Sequence, residues 1–273
     1  MFTRIAAAAG ALAALTSVSL AADLPGRVSA PAPSPIYASP VMNWTGFYFG
    51  IDVGGRSAKN GFTATQTGNP FGPVPFPATA SRNLDYTGFY LSERLGYDYQ
   101  FGNNIVVGIE GLIGAGTGKK AVVSTLPGFA NVVGSADRIA SRMRLDYAIR
   151  GRLGYLVTPA TLLYATGGVA FQDISMNAQC FAGGGACVAP RFTQTKSSRT
   201  GYTIGAGVEQ HLMGGLYARA DYRYSDFGRK NYVQFAGTAD QLNLSDKLRT
   251  HTFTIGLDYK FNLGGSSPVV SKY

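Results

Sequence analysis

Thr252-Phe253-Thr254-Ile255-Gly256-Leu257-Asp258-Tyr259-Lys260-Phe261 alternates without a fault. Phe253, Ile255, Leu257, Tyr259 and Phe261 fall on one face; Thr252, Thr254, Gly256, Asp258 and Lys260 fall on the other. Side chains along a strand point to opposite faces with period two, so this is a strand with one apolar and one polar face.

Seven earlier segments repeat the pattern. With the last they span roughly 44–56, 87–100, 104–115, 141–157, 161–172, 200–210, 215–225 and 248–261, separated by Gly, Asn and Pro. The connections alternate in length. Those after the second, fourth and sixth segments are short: Phe101–Asn104, Thr158–Ala160 and His211–Gly214. Those after the first, third, fifth and seventh are long: 57–86, 116–140, 173–199 and 226–247. All long connections therefore share one end. An even strand number with short turns at one end and long loops at the other predicts an all-β, eight-stranded antiparallel up-and-down transmembrane β-barrel.

The two faces differ in charge. Phe47, Phe49, Ile51 and Val53 oppose Asp52; Ile105, Val107 and Ile109 oppose Glu110. Met143, Leu145, Tyr147, Ile149, Leu153 and Tyr155 oppose Arg144, Asp146, Arg150 and Arg152. The polar face collects Asp52, Asp98, Glu110, Asp146, Glu209, Asp221 and Asp258 with Arg94, Arg144, Arg150, Arg152, Arg219, Arg223 and Lys260. Isolated charges inside a narrow lumen cost several kcal/mol each, so a balanced set predicts a paired network filling the barrel. A soluble eight-stranded barrel has the reverse arrangement, apolar inside and polar outside. Phe47, Tyr97, Tyr99, Tyr155, Tyr259 and Phe261 fall near the short-turn end; Phe89, Tyr147, Phe171, Tyr202, Tyr222 and Phe253 fall toward the long loops. Two aromatic belts suit two membrane interfaces. Glu93 breaks the pattern, falling among outward Leu91, Leu95, Tyr97 and Tyr99. Either it faces lipid, at a cost, or a bulge between Leu91 and Arg94 turns it inward.

The chain begins with a positive Met1–Arg4, an apolar Ile5–Leu20 and the small-x-small site Ser19-Leu20-Ala21, which reads as a secretory signal over 1–21. Residues 22–43, with Pro25, Pro31, Pro33, Pro35 and Pro40, read as an extended periplasmic linker. The barrel covers 44–261, and 262–273 follow as a periplasmic tail. No later stretch has the 18 apolar residues of a spanning helix. The net charge is +9, yet no Lys/Arg run exceeds Lys119-Lys120, which argues against nucleic acid as a partner. Two cysteines in an exported chain predict a Cys180–Cys187 disulfide across Gly183-Gly184-Gly185.

Asn43-Trp44-Thr45-Gly46-Phe47-Tyr48, Leu95-Gly96-Tyr97-Asp98-Tyr99-Gln100, Gly108-Ile109-Glu110-Gly111, Ile149-Arg150-Gly151-Arg152-Leu153-Gly154-Tyr155, Leu163–Ala170 and Gly205-Ala206-Gly207-Val208-Glu209 together carry a family likeness. The chain resembles the small porin-superfamily outer-membrane proteins of alphaproteobacteria, the outer-membrane immunogenic protein group, with an OmpA-like eight-stranded barrel. The resemblance covers about 43–261. Glu93 and the tail beyond Phe261 depart from it. Thr254, Gly256, Tyr259 and Phe261 resemble the terminal-strand signal read by the barrel-assembly machinery, here internal to the chain. The resemblance implies an abundant protein of the Gram-negative outer membrane, in contact with its lipid and lipopolysaccharide, exposed through its loops and often antigenic. Some relatives are called porins and some bind haemin; no binding motif transfers to this chain.

A structural and surface-interaction role needs no catalytic residues. A pore is disfavoured, because eight strands enclose a space that side chains fill and aqueous channels come with about 16–18. An enzyme needs a base within reach of a nucleophile or water. The two histidines, His211 in a short turn and His251 on the outward face, do not supply one, and no cofactor or metal motif is present. The remaining alternatives are a narrow channel and capture of haemin, lipopolysaccharide or a host surface by the loops. Arg249 and His251 stand at the rim, where anionic headgroups lie.

Overall fold

The computed structural model describes residues 42–66, 79–83, 85–117, 121–123, 138–180, 190–237 and 241–261. The expected signal, most of the linker, the tail and the Cys180–Cys187 bond lie outside what is described; of the two cysteines only the Cys180 backbone falls within it.

Among the described residues the strands are β1 (Gly46–Gln66), β2 (Thr79–Asn83), β3 (Tyr86–Gln100), β4 (Ile105–Gly116), β5 (Ala121–Val123), β6 (Arg138–Thr158), β7 (Thr161–Cys180), β8 (Arg191–Met213), β9 (Leu216–Gln234) and β10 (Leu242–Phe261). Eight form an antiparallel ring, β1-β3-β4-β6-β7-β8-β9-β10. The opening sequence stretch closes it: Phe261 pairs with Phe47, Leu257 with Ile51 and Phe253 with Gly55. Closure leaves no free edge at this level, which a barrel in lipid requires. β2 pairs with the far end of β1 and β5 with the far end of β6.

Three turns join strands at one end, through Gly102-Asn103-Asn104, Pro159-Ala160 and Gly214-Gly215. Asn104 (φ 65) and Gly214 (φ 54) take the left-handed conformation tight turns demand. The other end corrects the expected strand limits. Most of what is described of the segments expected as long loops is strand: β1 runs on to Gln66, β8 starts at Arg191, β9 reaches Gln234 and β10 starts at Leu242. β9 has 19 residues and β8 has 23, about twice the ~9–11 that cross a bilayer. Backbone pairing continues past the apolar belt because it needs no apolar face.

The extensions divide into two sheets. The last paired residues of β8 and β9 are Tyr202 and Asp226. Beyond them β8 stays paired with β7 up to Cys180–Arg191, and β9 stays with β10 up to Gln234–Leu242. Side chains bridge the seam. Lys230 Nζ donates to Ser197 Oγ at 2.6 Å and to the Ser198 carbonyl at 2.8 Å. Gln234 Nε2 donates to Thr195 Oγ1 at 3.2 Å.

Candidate functional site

In the membrane-level part inward positions keep one parity along each strand and stack charges in tiers. Next to the short turns Trp44, Val106, Leu156, Leu162, Tyr164 and Tyr217 form an apolar plug. Trp44 is fully buried, and its indole N–H donates to the Pro159 carbonyl at 3.1 Å. The Lys260 ammonium lies 4.4 Å from the Trp44 ring, a cation–π contact that joins plug to charges.

The first charged tier is a tetrad. Arg152 pairs with Asp98 at 3.0 Å and with Glu209; Lys260 pairs with Asp98 at 2.8 Å and with Glu209 at 3.2 Å. Above it Arg94 bridges Asp52 and Asp258, the latter at 2.8 Å. Glu110 takes Arg150 at 2.6 Å and Arg219 at 3.2 Å, and both arginines reach Asp221 at 3.4 Å. Tyr48 and Tyr164 add hydroxyl donors to Glu110 at 2.9 Å and Asp221 at 3.0 Å. In the third tier Asp146 accepts from Arg56 at 2.8 Å, Arg223 at 2.9 Å and Tyr90 at 3.0 Å.

Of the residues expected in this network all but one are buried inside. Arg144 is the exception: it is exposed on the outer wall. Met143 pairs with Ile174 and Asp146 with Gln172, so two residues of β6 oppose one of β7. That bulge keeps Arg144 and Leu145 both outside and turns Met143 in against an apolar cluster. Its place is taken by Arg56, which shares parity with Asp52 but sits at the edge of the expected first strand. Arg199 and Asp246 are a further buried pair, in segments expected as loop.

Inward glycines make room for these groups. A Cβ on Gly96 would meet Tyr48 Cζ at 2.4 Å, and one on Gly256 would meet Asp52 Oδ1 at 2.1 Å. Gly256, expected as part of an assembly signal, therefore also has a packing role. Tyr259 and Phe261 face outward beside Phe49 and Phe47, and Thr254 faces the lumen.

The outer wall at this level is apolar: Ile51, Leu95, Ile109, Ile149, Leu153, Ile204, Ile255 and Leu257 are all exposed. Aromatics border it. Phe47 and Tyr97 are 4.8 Å apart at the short-turn side; Phe253 pairs with Tyr222 and Tyr147 with Phe171 at the other. Glu93 is exposed on this wall between Ile51 and Ile113, with regular pairing on both sides, so no bulge turns it inward.

A ring of eight strands with a charged interior and an exposed apolar wall is a lipid-facing barrel. The family model described as "Outer membrane protein beta-barrel domain" matches residues 10–261. The chain belongs to that family. Its place is the Gram-negative outer membrane. It is similar to the 31 kDa outer-membrane immunogenic protein of Brucella melitensis, 28% identical over 254 residues covering 92% of this chain and 98% of the relative. The 25 kDa outer-membrane immunogenic protein of the same organism is 28% identical over 231 residues, 85% of each chain. Among solved structures, the outer membrane protein OprG from Pseudomonas aeruginosa aligns with a TM-score of 0.46 and 12% identity, covering 81% of this chain and 99% of that one.

Proposed function

We propose that this outer-membrane barrel is closed to solutes, acts as a non-catalytic anchor and presents its strand extensions at the cell surface. The tiered filling of the lumen carries this reading. Seven acids (Asp52, Asp98, Glu110, Asp146, Glu209, Asp221, Asp258) and seven bases (Arg56, Arg94, Arg150, Arg152, Arg219, Arg223, Lys260) are buried there. An apolar plug lies on each side: the Trp44 cluster below, and above it a cluster including Phe62, Ile174, Met176, Phe227, Leu244 and Leu248. An ion moving through would have to break buried pairs, each loss leaving an uncompensated charge worth about 3–5 kcal/mol.

The short-turn end faces the periplasm, and the extended end faces outward, in keeping with the usual asymmetry of such barrels. The first 21 residues serve as the export signal, 22–43 and 262–273 lie in the periplasm, and Thr254, Gly256, Tyr259 and Phe261 are read by the assembly machinery. The relatives' names call those proteins immunogenic, which fits surface presentation.

Planar-bilayer recording of the refolded full chain tests closure. A closed barrel leaves the membrane silent. Steady, reproducible openings make the protein a narrow channel instead.

A further inference from the structure

Some outward cations just beyond the aromatic border are engaged by their own neighbours; others, among them Lys59, Arg229 and Lys247 as well as a cluster on β6 and β8, make no ion pair with a described residue. On the β9–β10 side Arg249 pairs with Asp226 at 2.9 Å, and His251 Nδ1 lies 2.8 Å from the Tyr222 hydroxyl. The rim residues singled out by sequence are thus engaged by their own neighbours. On the β6–β7–β8 side Arg142, Arg144 and Lys196 are exposed, and none makes an ion pair with a described residue.

These three cations line one groove of about 470 Å³, together with Ser175, Asn177 and Gln194. Arg142, Ser175 and Lys196 stand side by side across the three strands; Asn177 and Gln194 are neighbours on the next row outward. The β6 bulge adds Arg144, which a regular strand would have turned inside. Asp173 is the one outward carboxylate on these three strands, so the groove remains cationic. Leu145, Tyr147 and Phe171 continue the same wall down into the apolar belt. Arg142 lies five residues from Tyr147, about 17 Å along the strand at most and less in height for a tilted strand, on the outer side of the aromatic border.

We propose that this groove holds the anionic headgroup of an acylated saccharide of the outer leaflet, the lipid anchor of lipopolysaccharide. Its phosphates sit among Arg142, Arg144 and Lys196. Ser175, Asn177 and Gln194 meet its hydroxyls, and its acyl chains run down Leu145, Tyr147 and Phe171. Polar groups, cations and an apolar wall, in that order from the outermost row down, match an amphiphile standing in the leaflet. The assignment rests on the extended end facing outward.

The test uses the full chain refolded in detergent and lipopolysaccharide with a phosphorylated lipid anchor as the probe, with affinity measured by fluorescence titration. Arg142→Ala/Arg144→Ala/Lys196→Ala is compared with Lys59→Ala/Lys247→Ala, which removes exposed or half-buried cations elsewhere. The first set lowers affinity at least roughly tenfold, since each basic side chain near an anionic lipid surface contributes about fivefold. The second leaves it unchanged, and so does free inorganic phosphate at matched concentration. Equal loss in both sets, no loss in the first, or displacement by phosphate alone overturns the proposal. Heat-dependent gel mobility verifies folding; if the triple variant fails that check, Arg144→Glu is measured instead, with the same loss expected. Labelling of Lys59 on intact cells reports orientation separately, so a wrong orientation and an empty groove give different results.

Discussion

The part of the barrel in the membrane and the part beyond it are built from the same strands on opposite plans. In β10 the inward side chains run Lys260, Asp258, Gly256, Thr254, Thr252, Thr250, Leu248, Asp246, Leu244. Outward they run Phe261, Tyr259, Leu257, Ile255, Phe253, His251, Arg249, Lys247, Ser245. Parity never changes, but polarity exchanges near His251. β1 does the same, from Tyr48, Asp52 and Arg56 inside to Ala58 and Phe62, while its outer face passes from Phe47–Val53 to Ser57 and Lys59. The surroundings decide which face may be apolar. Against lipid the wall must be apolar, so the interior carries the charges and pairs them. Against water the interior is mostly apolar, with the Arg199–Asp246 pair buried within it, and the hydrophobic effect holds it together. The membrane part is closed all round by backbone pairing; the outer part is joined between β8 and β9 by side chains such as Lys230 and Gln234.

The largest expected effect comes from breaking the polar interior. Glu110→Ala leaves Arg150 and Arg219 buried without the nearer of the two carboxylates they share and destabilises the whole barrel by about 3–5 kcal/mol. Urea unfolding in micelles, followed by tryptophan emission from buried Trp44, measures it. A loss near zero removes the distinction between the two interiors.

Leu248→Ala acts on the outer core, where Leu248 is fully buried, and costs about 3 kcal/mol. Its signature is local. Amide exchange speeds up in β9 beyond Asp226 and in β10 before Arg249, while the membrane-level ladder keeps its protection. Uniform acceleration everywhere contradicts two separately stabilised regions.

Gly256→Ala places a methyl against Asp52 and Ile51 and costs about 1–3 kcal/mol by overpacking. It separates packing from signalling. Packing lowers the stability of protein refolded without assembly machinery; a role confined to signalling leaves that stability unchanged.

Glu93→Leu is the smallest effect and has the opposite sign. It removes a carboxylate from the lipid-facing wall and raises stability by about 1 kcal/mol. A loss of stability in the same unfolding assay identifies a contact on that wall that opposes the lipid-facing reading.

The membrane part was legible in the sequence because its alternation sets apolar against charged residues over whole strands. The outer part was not. Past Arg56 and before Thr250 the periodic signal inverts, so one continuous strand reads as a strand followed by a polar loop. Arg56 and the Arg199–Asp246 pair are illegible for that reason, since their parity signal lies in or beside segments that read as connections. Arg144 was misplaced for another. A bulge adds one residue and shifts parity locally, and neither Arg144 nor Leu145 carries a composition mark that announces it. Regular pairing with Ile51 and Ile113 sets Glu93 on the outer wall, which alternation alone leaves open.

The exchange of inside and outside is tested most directly by spin labels at Ile255 and Lys247, both outward on β10, in a Cys180→Ser/Cys187→Ser background reconstituted in bilayers. The expected result is an Ile255 label accessible to dissolved oxygen and shielded from a water-soluble nickel complex, with the reverse at Lys247. Equal accessibility at the two positions contradicts it.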